Sequence, residues 1–181
     1  MTLSEFIQPE LILLFITLLI ALSIVWSTLK TGISPMVSSS KATKMMLTAI
    51  NASEKGPILD LGSGWGTLVI SIARQHPERE VIGYELSLFP WLVSRLLKGC
   101  FRLNNLTLHR ADFNHADLSH ASIIFCYLFP KGMDRLHQKL MRDDLTELVI
   151  VSNTFALPIT APERIQVLKD TYQTKIYFYR W

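Results

Sequence analysis

Nineteen consecutive positions near the start of the chain, Leu11 to Leu29 (LILLFITLLIALSIVWSTL), carry no charged side chain. At 1.5 Å of rise per residue such a run makes ~28 Å of helix, close to the hydrocarbon thickness of a bilayer. The pattern breaks at TGISPMVSSS (31–40), where Gly, Pro and Ser mark a short linker. A Ser at 39 or 40 is then placed to cap a helix carrying Met45, Met46, Leu47 and Ile50. From Pro57 onward, short apolar runs alternate with helical periodicity, as βαβ units and a parallel sheet require. Strands are expected at 57–61 (PILDL), 80–86 (EVIGYEL), 106–111 (LTLHRA), 121–127 (ASIIFCY) and 147–152 (ELVIVS), with helices over 66–75, 88–102 and 132–142. The tail IQVLKDTYQTKIYFYRW reads as two more strands joined by a tight turn, hence antiparallel to each other. The link from third to fourth strand, FNHADLSHA, is too short for a good crossover helix. Its nine residues still reach roughly 30 Å when extended, against about 14 Å for three strand spacings, so the parallel crossover survives.

Three segments follow: a transmembrane anchor over 1–30, a linker and N-terminal helix over 31–56, and an α/β domain over 57–181. A buried core helix would usually be shorter than the first segment and keep a polar face. A cleaved signal peptide needs a basic leading stretch and a small-residue cleavage site. Here Glu5 precedes the run and no Ala-x-Ala follows it. Trp26 suits an interfacial aromatic anchor. Glu5 and Glu10 lie before the span and Lys30, Lys41 and Lys44 after it, so the positive-inside bias puts the bulk of the protein on the cytoplasmic side, or its organellar equivalent.

Charge narrows the choice of partner. Residues 30–181 hold all 18 basic groups against 13 acidic ones, a net charge of +5 that is spread along the sequence. No block of like charges marks a nucleic-acid arm. Cys100 and Cys126 give no disulfide framework, a reducing compartment is the simpler assumption, and Cys126 inside an apolar run reads as a buried thiol. The five histidines (His76, His109, His115, His120, His137) lack the paired spacing of a structural metal site, so no metal is expected.

The chemistry concentrates at the ends of successive strands. Asp60-Leu61-Gly62-Ser63-Gly64-Trp65-Gly66-Thr67 lies at the turn from first strand to first helix of the domain. Its glycines permit a tight turn and close backbone approach to a ligand. The spacing is G-x-G-x-G, with Thr67 where a dinucleotide fold wants its third Gly. The acid just before the loop suits a ligand with a cationic amino group better than a pyrophosphate. Glu85 ends the second strand, 19 residues after Gly66, where a carboxylate can accept from both hydroxyls of a ribose. Asp112-Phe113 ends the third, where a carboxylate can take an exocyclic adenine amine and a ring can stack nearby.

Taken together, ILDLGSGWG, IGYELS and RADF resemble the class I S-adenosylmethionine (SAM)-dependent methyltransferases, over about residues 34–160. A narrower likeness is carried by the apolar N-terminal span, SPMVSSS, GYELSLFPWLVSR, FCYLFPKGMDRLHQKL and VIVSNTFALP. It is to the small membrane-anchored lysine methyltransferases of mitochondria that modify ATP synthase subunit c and the adenine nucleotide translocase, and to their bacterial relatives. The resemblance implies a Rossmann-like sheet, mostly parallel with a C-terminal antiparallel hairpin, behind one N-terminal transmembrane helix. It implies SAM as cofactor, with Asp60, Gly62, Gly64 and Gly66 on the methionine part, Glu85 on the ribose and Asp112 on the adenine region. Ser63, Leu86 and Phe113 complete the expected cofactor-binding set.

One departure bears on the acceptor. Many amino-methyltransferases carry (Asn/Asp)-Pro-Pro-(Tyr/Phe) after the fourth strand, whereas here the residues are Cys126-Tyr127-Leu128-Phe129-Pro130. Tyr127 is the candidate substrate-facing group, a core aromatic being the other reading. Tyr127, Phe129 and Trp65 could line an apolar mouth for the acceptor. The core consumes nearly all of 57–181, leaving no inserted cap to enclose a small metabolite. A lysine N-methyltransferase acting on a membrane-associated protein is expected. A lipid or quinone-type methyltransferase and a catalytically silent SAM-binding interaction protein are the alternatives.

Overall fold

The computed structural model describes residues 8–31, 37–50, 55–143, 145 and 147–181. Helix α1 spans Pro9–Thr31, with side chains described at 8–22 and 25. Many of its apolar side chains are exposed: Leu13, Leu14 and Phe15 are 66%, 65% and 61% exposed. The Thr17 hydroxyl donates back to the Leu13 carbonyl at 2.8 Å, so this polar group is satisfied within the helix. Among the described residues no helix is both long and apolar enough to cross a membrane. The described side chains of α1 form a run shorter than the ~20 residues a span requires. Residue Glu5, the side chains of Trp26 and Lys30, and linker positions 32–36 lie outside the described residues.

Helix α2 (Ser40–Leu47) begins where Ser39, rather than Ser40, caps it, its Oγ accepting from the Ala42 N–H at 3.2 Å. Met46 is wholly buried, and Ile50 packs against the same core from the turn beyond the helix. The domain then alternates: β1 (Ile58–Leu61), α3 (Thr67–Gln75), β2 (Val81–Tyr84), α4 (Leu88–Cys100), β3 (Leu106–His109), β4 (Ile123–Cys126), α5 (Pro130–Arg142) and β5 (Val149–Asn153). Two further strands, β6 (Arg164–Val167) and β7 (Lys175–Arg180), complete a seven-stranded sheet of order β3-β2-β1-β4-β5-β7-β6. The first five strands are parallel, and β7 runs antiparallel to both β5 and β6.

Alternation along the strands divides the core in two. Ile58, Phe125 and Val151 face α3 with Val69 and Ile72, and Met46 of α2 joins that cluster. Leu59, Leu61 and Ile124 face the other way, onto Met133, Leu136 and Leu140 of α5. Each such side chain contributes roughly 1.5–3 kcal/mol when fully buried. The third-to-fourth-strand link holds only a 3-10 turn (113–115), with the Asp112 side chain accepting from the Asn114 N–H, yet it makes the crossover. The tail turn is longer than expected. Leu168 N–H donates to the Thr174 carbonyl at 2.8 Å, and Asp170 accepts from the Thr174 N–H and hydroxyl, closing a loop over 169–173. The strands also end early. Glu85-Leu86, Arg110-Ala111 and Tyr127 leave the sheet as loops at its C-terminal edge, where their side chains are freed for other work.

Candidate functional site

The strand order reverses between β1 and β4: the chain leaves β1 for α3 on one face and β4 for α5 on the other. In open α/β sheets, ligands bind at the crevice this reversal opens. Here it holds a cleft lined by Val37, Ser38, Asp60, Gly62, Ser63, Trp65, Thr67, Leu68 and Tyr127.

The glycine loop is held by backbone. Gly62 and Ser63 both donate to the Tyr84 carbonyl, at 2.8 and 2.9 Å, and Gly66 donates to Ser63 at 2.9 Å. Two of its glycines do different things. Gly66 precedes α3 with φ of 85°, and an added Cβ would meet Ser94 of α4 at 2.8 Å and Ile70 at 2.9 Å. Its bareness lets α4 close against the loop. Gly64 has φ of 54°, and an added Cβ would find nothing nearer than 3.9 Å, so this glycine presents bare backbone to open space. Glu85 is buried and ties the loop down: its Oε2 accepts from Gly64 N–H at 2.8 Å and its Oε1 from Ser87 N–H at 2.6 Å. Each carboxylate oxygen retains lone-pair capacity for a ligand hydroxyl.

Asp60 sits beneath the loop, 4% exposed. Burial, then repulsion from Glu85, pushes its carboxyl up to about 7, against a Val69 N–H that pulls the other way. A cation placed beside it would restore the carboxylate. Ser63 Oγ is buried with no hydrogen-bond partner among the described residues, and Ser63 lines the cleft. A buried acid, an unmatched hydroxyl and an uncovered glycine backbone together fit a ligand with a cationic amino-acid end. Glu85, one strand over, fits a vicinal diol.

The outer candidates are placed differently. Asp112 Oδ1 accepts from the Asn114 backbone N–H at 3.0 Å and its side chain at 2.7 Å, and Oδ2 pairs with Arg135 of α5 at 2.7 Å. Partial burial alone would raise this carboxyl, but the Asn114 N–H and then Arg135 outweigh it and hold it below the usual carboxylate range. An adenine amine would have to share these oxygens. Phe113 is 9% exposed and packs into the core with Leu59 and Leu61. Leu86 is exposed.

On the far side of the cleft Tyr127 stacks on Phe155 at 6.3 Å between ring centroids, and Phe129 meets Phe155 edge-on at 6.2 Å. Trp65 lines the same cleft as Tyr127. Phe155, from the loop after β5, was not singled out as a candidate residue, although it lies in the VIVSNTFALP stretch. Its only signal was a ring at the end of an apolar strand. Val37 and Ser38 were read as linker but line the cleft, and Ser38 Oγ accepts from the buried Asn153 amide at 3.4 Å. Cys126, pushed up to about 12 mainly by burial, is an inert thiol beneath this site.

The family described as the ANTKMT methyltransferase domain matches residues 60–164, more than half of the chain. Among solved structures the chain is similar to an RNA methyltransferase from Salinibacter ruber in complex with S-adenosyl-L-homocysteine, at 25% identity and a TM-score of 0.70, covering 80% of this chain and 92% of that one. It is similar in fold to a precorrin-6y C5,15-methyltransferase from Geobacter metallireducens, at 15% identity and a TM-score of 0.63, covering 78% and 87%. A B. subtilis tRNA methyltransferase, TrmK, shares the fold at 14% identity and a TM-score of 0.60, covering 79% and 66%. No curated protein sequence gives a significant match.

Proposed function

From a chain that belongs to the ANTKMT methyltransferase family and is a SAM-dependent methyltransferase, we propose that the acceptor is a lysine of a membrane-associated protein. The observation that carries this reading is the open, aromatic-lined cleft, where Trp65 and Tyr127 line the same space as Asp60 and the glycine loop.

By this reading Asp60 and the loop from Gly62 to Gly66 hold the amino-acid end of SAM, and Glu85 holds its ribose. When bound, SAM supplies an electrophilic methyl group on a sulfonium, so the protein's task is alignment and exclusion of water. A lysine with an ordinary pKa near 10.4 is neutral about once in 2,500 at pH 7, a penalty of roughly 4.6 kcal/mol. Tyr127, with Phe155 behind it, gives the amine an apolar surface that favours its neutral form, the proton passing to solvent before transfer. No Asn or Asp follows β4 to accept from the amine, so desolvation carries this burden.

The membrane enters through α1. From Leu11 to Leu22 its side chains are apolar except for Thr17 and mostly exposed, and the sequence continues without charge to Leu29. A single-pass anchor with the catalytic domain on the cytoplasmic side brings the cleft to an acceptor that supplies its own surface. Membranes incubated with methyl-labelled SAM, with and without the full chain, test this. Label on lysine of a membrane protein is expected, and label confined to lipid would replace this reading with a lipid methyltransferase.

A further inference from the structure

The two outer helices of the domain differ in what they show to solvent. The outward positions of α5 are Lys131, Asp134, Arg135 and Arg142, with Met141 among them. Those of α4 include three leucines beside Arg95: Leu88, Leu92 and Leu96 recur every fourth residue and are 37%, 38% and 69% exposed, while Leu97 turns inward to the core. Spacing of four puts all three on one face. Three exposed leucines in register form an apolar stripe rather than scattered surface residues.

Three observations say what covers it. First, α1 touches α4, yet the leucine stripe stays exposed with α1 in place. Second, between Glu85 and Asp112 no residue is acidic, while Arg95, Lys98, Arg102 and Arg110 are basic. Arg95 lies over the Trp91 ring at 4.8 Å, its head flanking the leucines. An apolar stripe on a segment whose only charges are basic fits an anionic lipid surface. Third, α4 begins three residues past Glu85, which accepts from the Gly64 N–H, so its leading end adjoins the glycine loop.

We propose that the Leu88–Leu92–Leu96 face of α4 is a second membrane contact, lying in the plane of an anionic bilayer interface and setting the cleft against it. This rests on the reading of α1 as an anchor. The anchor tethers the domain, and α4 fixes its orientation.

The test uses the full chain with Cys100→Ser, which leaves only the buried Cys126, and a single cysteine introduced by Leu96→Cys or, as the control on the opposite face, Met141→Cys. Unchanged SAM affinity in both confirms that the fold is intact. Each is labelled with bimane and reconstituted into phosphatidylcholine vesicles, with or without phosphatidylglycerol, that carry nitroxide-labelled acyl chains. Flotation reports the anchor, and nitroxide quenching reports α4. Flotation with several-fold stronger quenching at 96 than at 141, enhanced by phosphatidylglycerol, is the expected result. Flotation with equal quenching at the two positions overturns the α4 contact and leaves the anchor standing. Failure to float overturns both. Energy transfer between chains labelled at 96 that disappears on dilution with unlabelled chain, without nitroxide quenching, shows a second copy on the stripe and also overturns the proposal.

Discussion

The two walls of the cleft are built in opposite ways. The cofactor wall is short in sequence and rigid: Gly62, Ser63, Gly64 and Gly66 are held by the Tyr84 carbonyl, by Ser63 and by Glu85, all within 26 residues of Asp60. The wall proposed for the acceptor is gathered from Ser38, Tyr127, Phe129 and Phe155, on three separate stretches of the chain, and its aromatic contacts are ring against ring. Backbone hydrogen bonds and buried carboxylates fix a ligand's polar end to within tenths of an ångström, whereas aromatic contacts tolerate repacking. A fold used for many acceptors is expected to keep the first wall and vary the second.

The sharpest break of that contrast is at Gly66. Gly66→Ala puts a Cβ at 2.8 Å from Ser94 and 2.9 Å from Ile70 on a left-handed backbone, and should cost about 2–4 kcal/mol of stability in thermal or urea unfolding. Gly64→Ala meets no neighbour, so it should cost only the ~1–2 kcal/mol of the left-handed conformation, while a shift of the Gly64 N–H away from Glu85 should still weaken SAM binding.

The acceptor wall is tested at Tyr127. If desolvation dominates, Tyr127→Phe stays within several-fold of the native rate and Tyr127→Ala loses on the order of 100-fold, about 2.7 kcal/mol. SAM affinity by calorimetry should change little in either. A large loss in the Phe variant would mean that the hydroxyl positions the amine or accepts its proton.

The difference between the walls also explains what could be read from the residues alone. The helix cap at Ser39, the five parallel strands and the Asp60–Gly66 turn rest on local patterns of apolar spacing and glycine, and they lie where those patterns put them. Phe155 and Ser38 could not be found that way, since nothing local marks a residue whose role comes from a partner more than 25 positions away. Glu85 was legible as a strand-end acid, but its hold on Gly64 was not, because that bond depends on how β1 and β2 sit side by side. Phe113 was legible as a ring at a strand end, but its packing against Leu59 and Leu61 was not.

Smaller effects refine the cofactor wall. Asp60 is largely protonated below about 7 in the free protein, and a bound cation requires its carboxylate. Binding therefore releases a proton, and SAM affinity should rise with pH, by up to about tenfold per unit, until the pKa of about 7 is passed. Asp60→Asn should remove that part of the slope. For stability the sign is opposite. Between the ordinary value of 3.8 and about 7 the folded protein keeps a proton that the unfolded chain has lost, so this group's contribution to stability falls as pH rises through that window. The smallest effect is expected from Arg135→Ala. Its pair with Asp112 is substantially exposed, and its loss should shift stability by no more than about 1 kcal/mol, with SAM affinity within a few-fold.

Glu85 joins the two halves of the cofactor wall, bonding to the Gly64 loop on one side and to the turn before α4 on the other. Calorimetric titration of SAM into the native chain and Glu85→Ala is the most direct measurement of whether this buried carboxylate holds the cofactor. A loss of about 2–3 kcal/mol in binding, with the fold intact by circular dichroism, is the predicted result. Unchanged SAM affinity in the variant would contradict it.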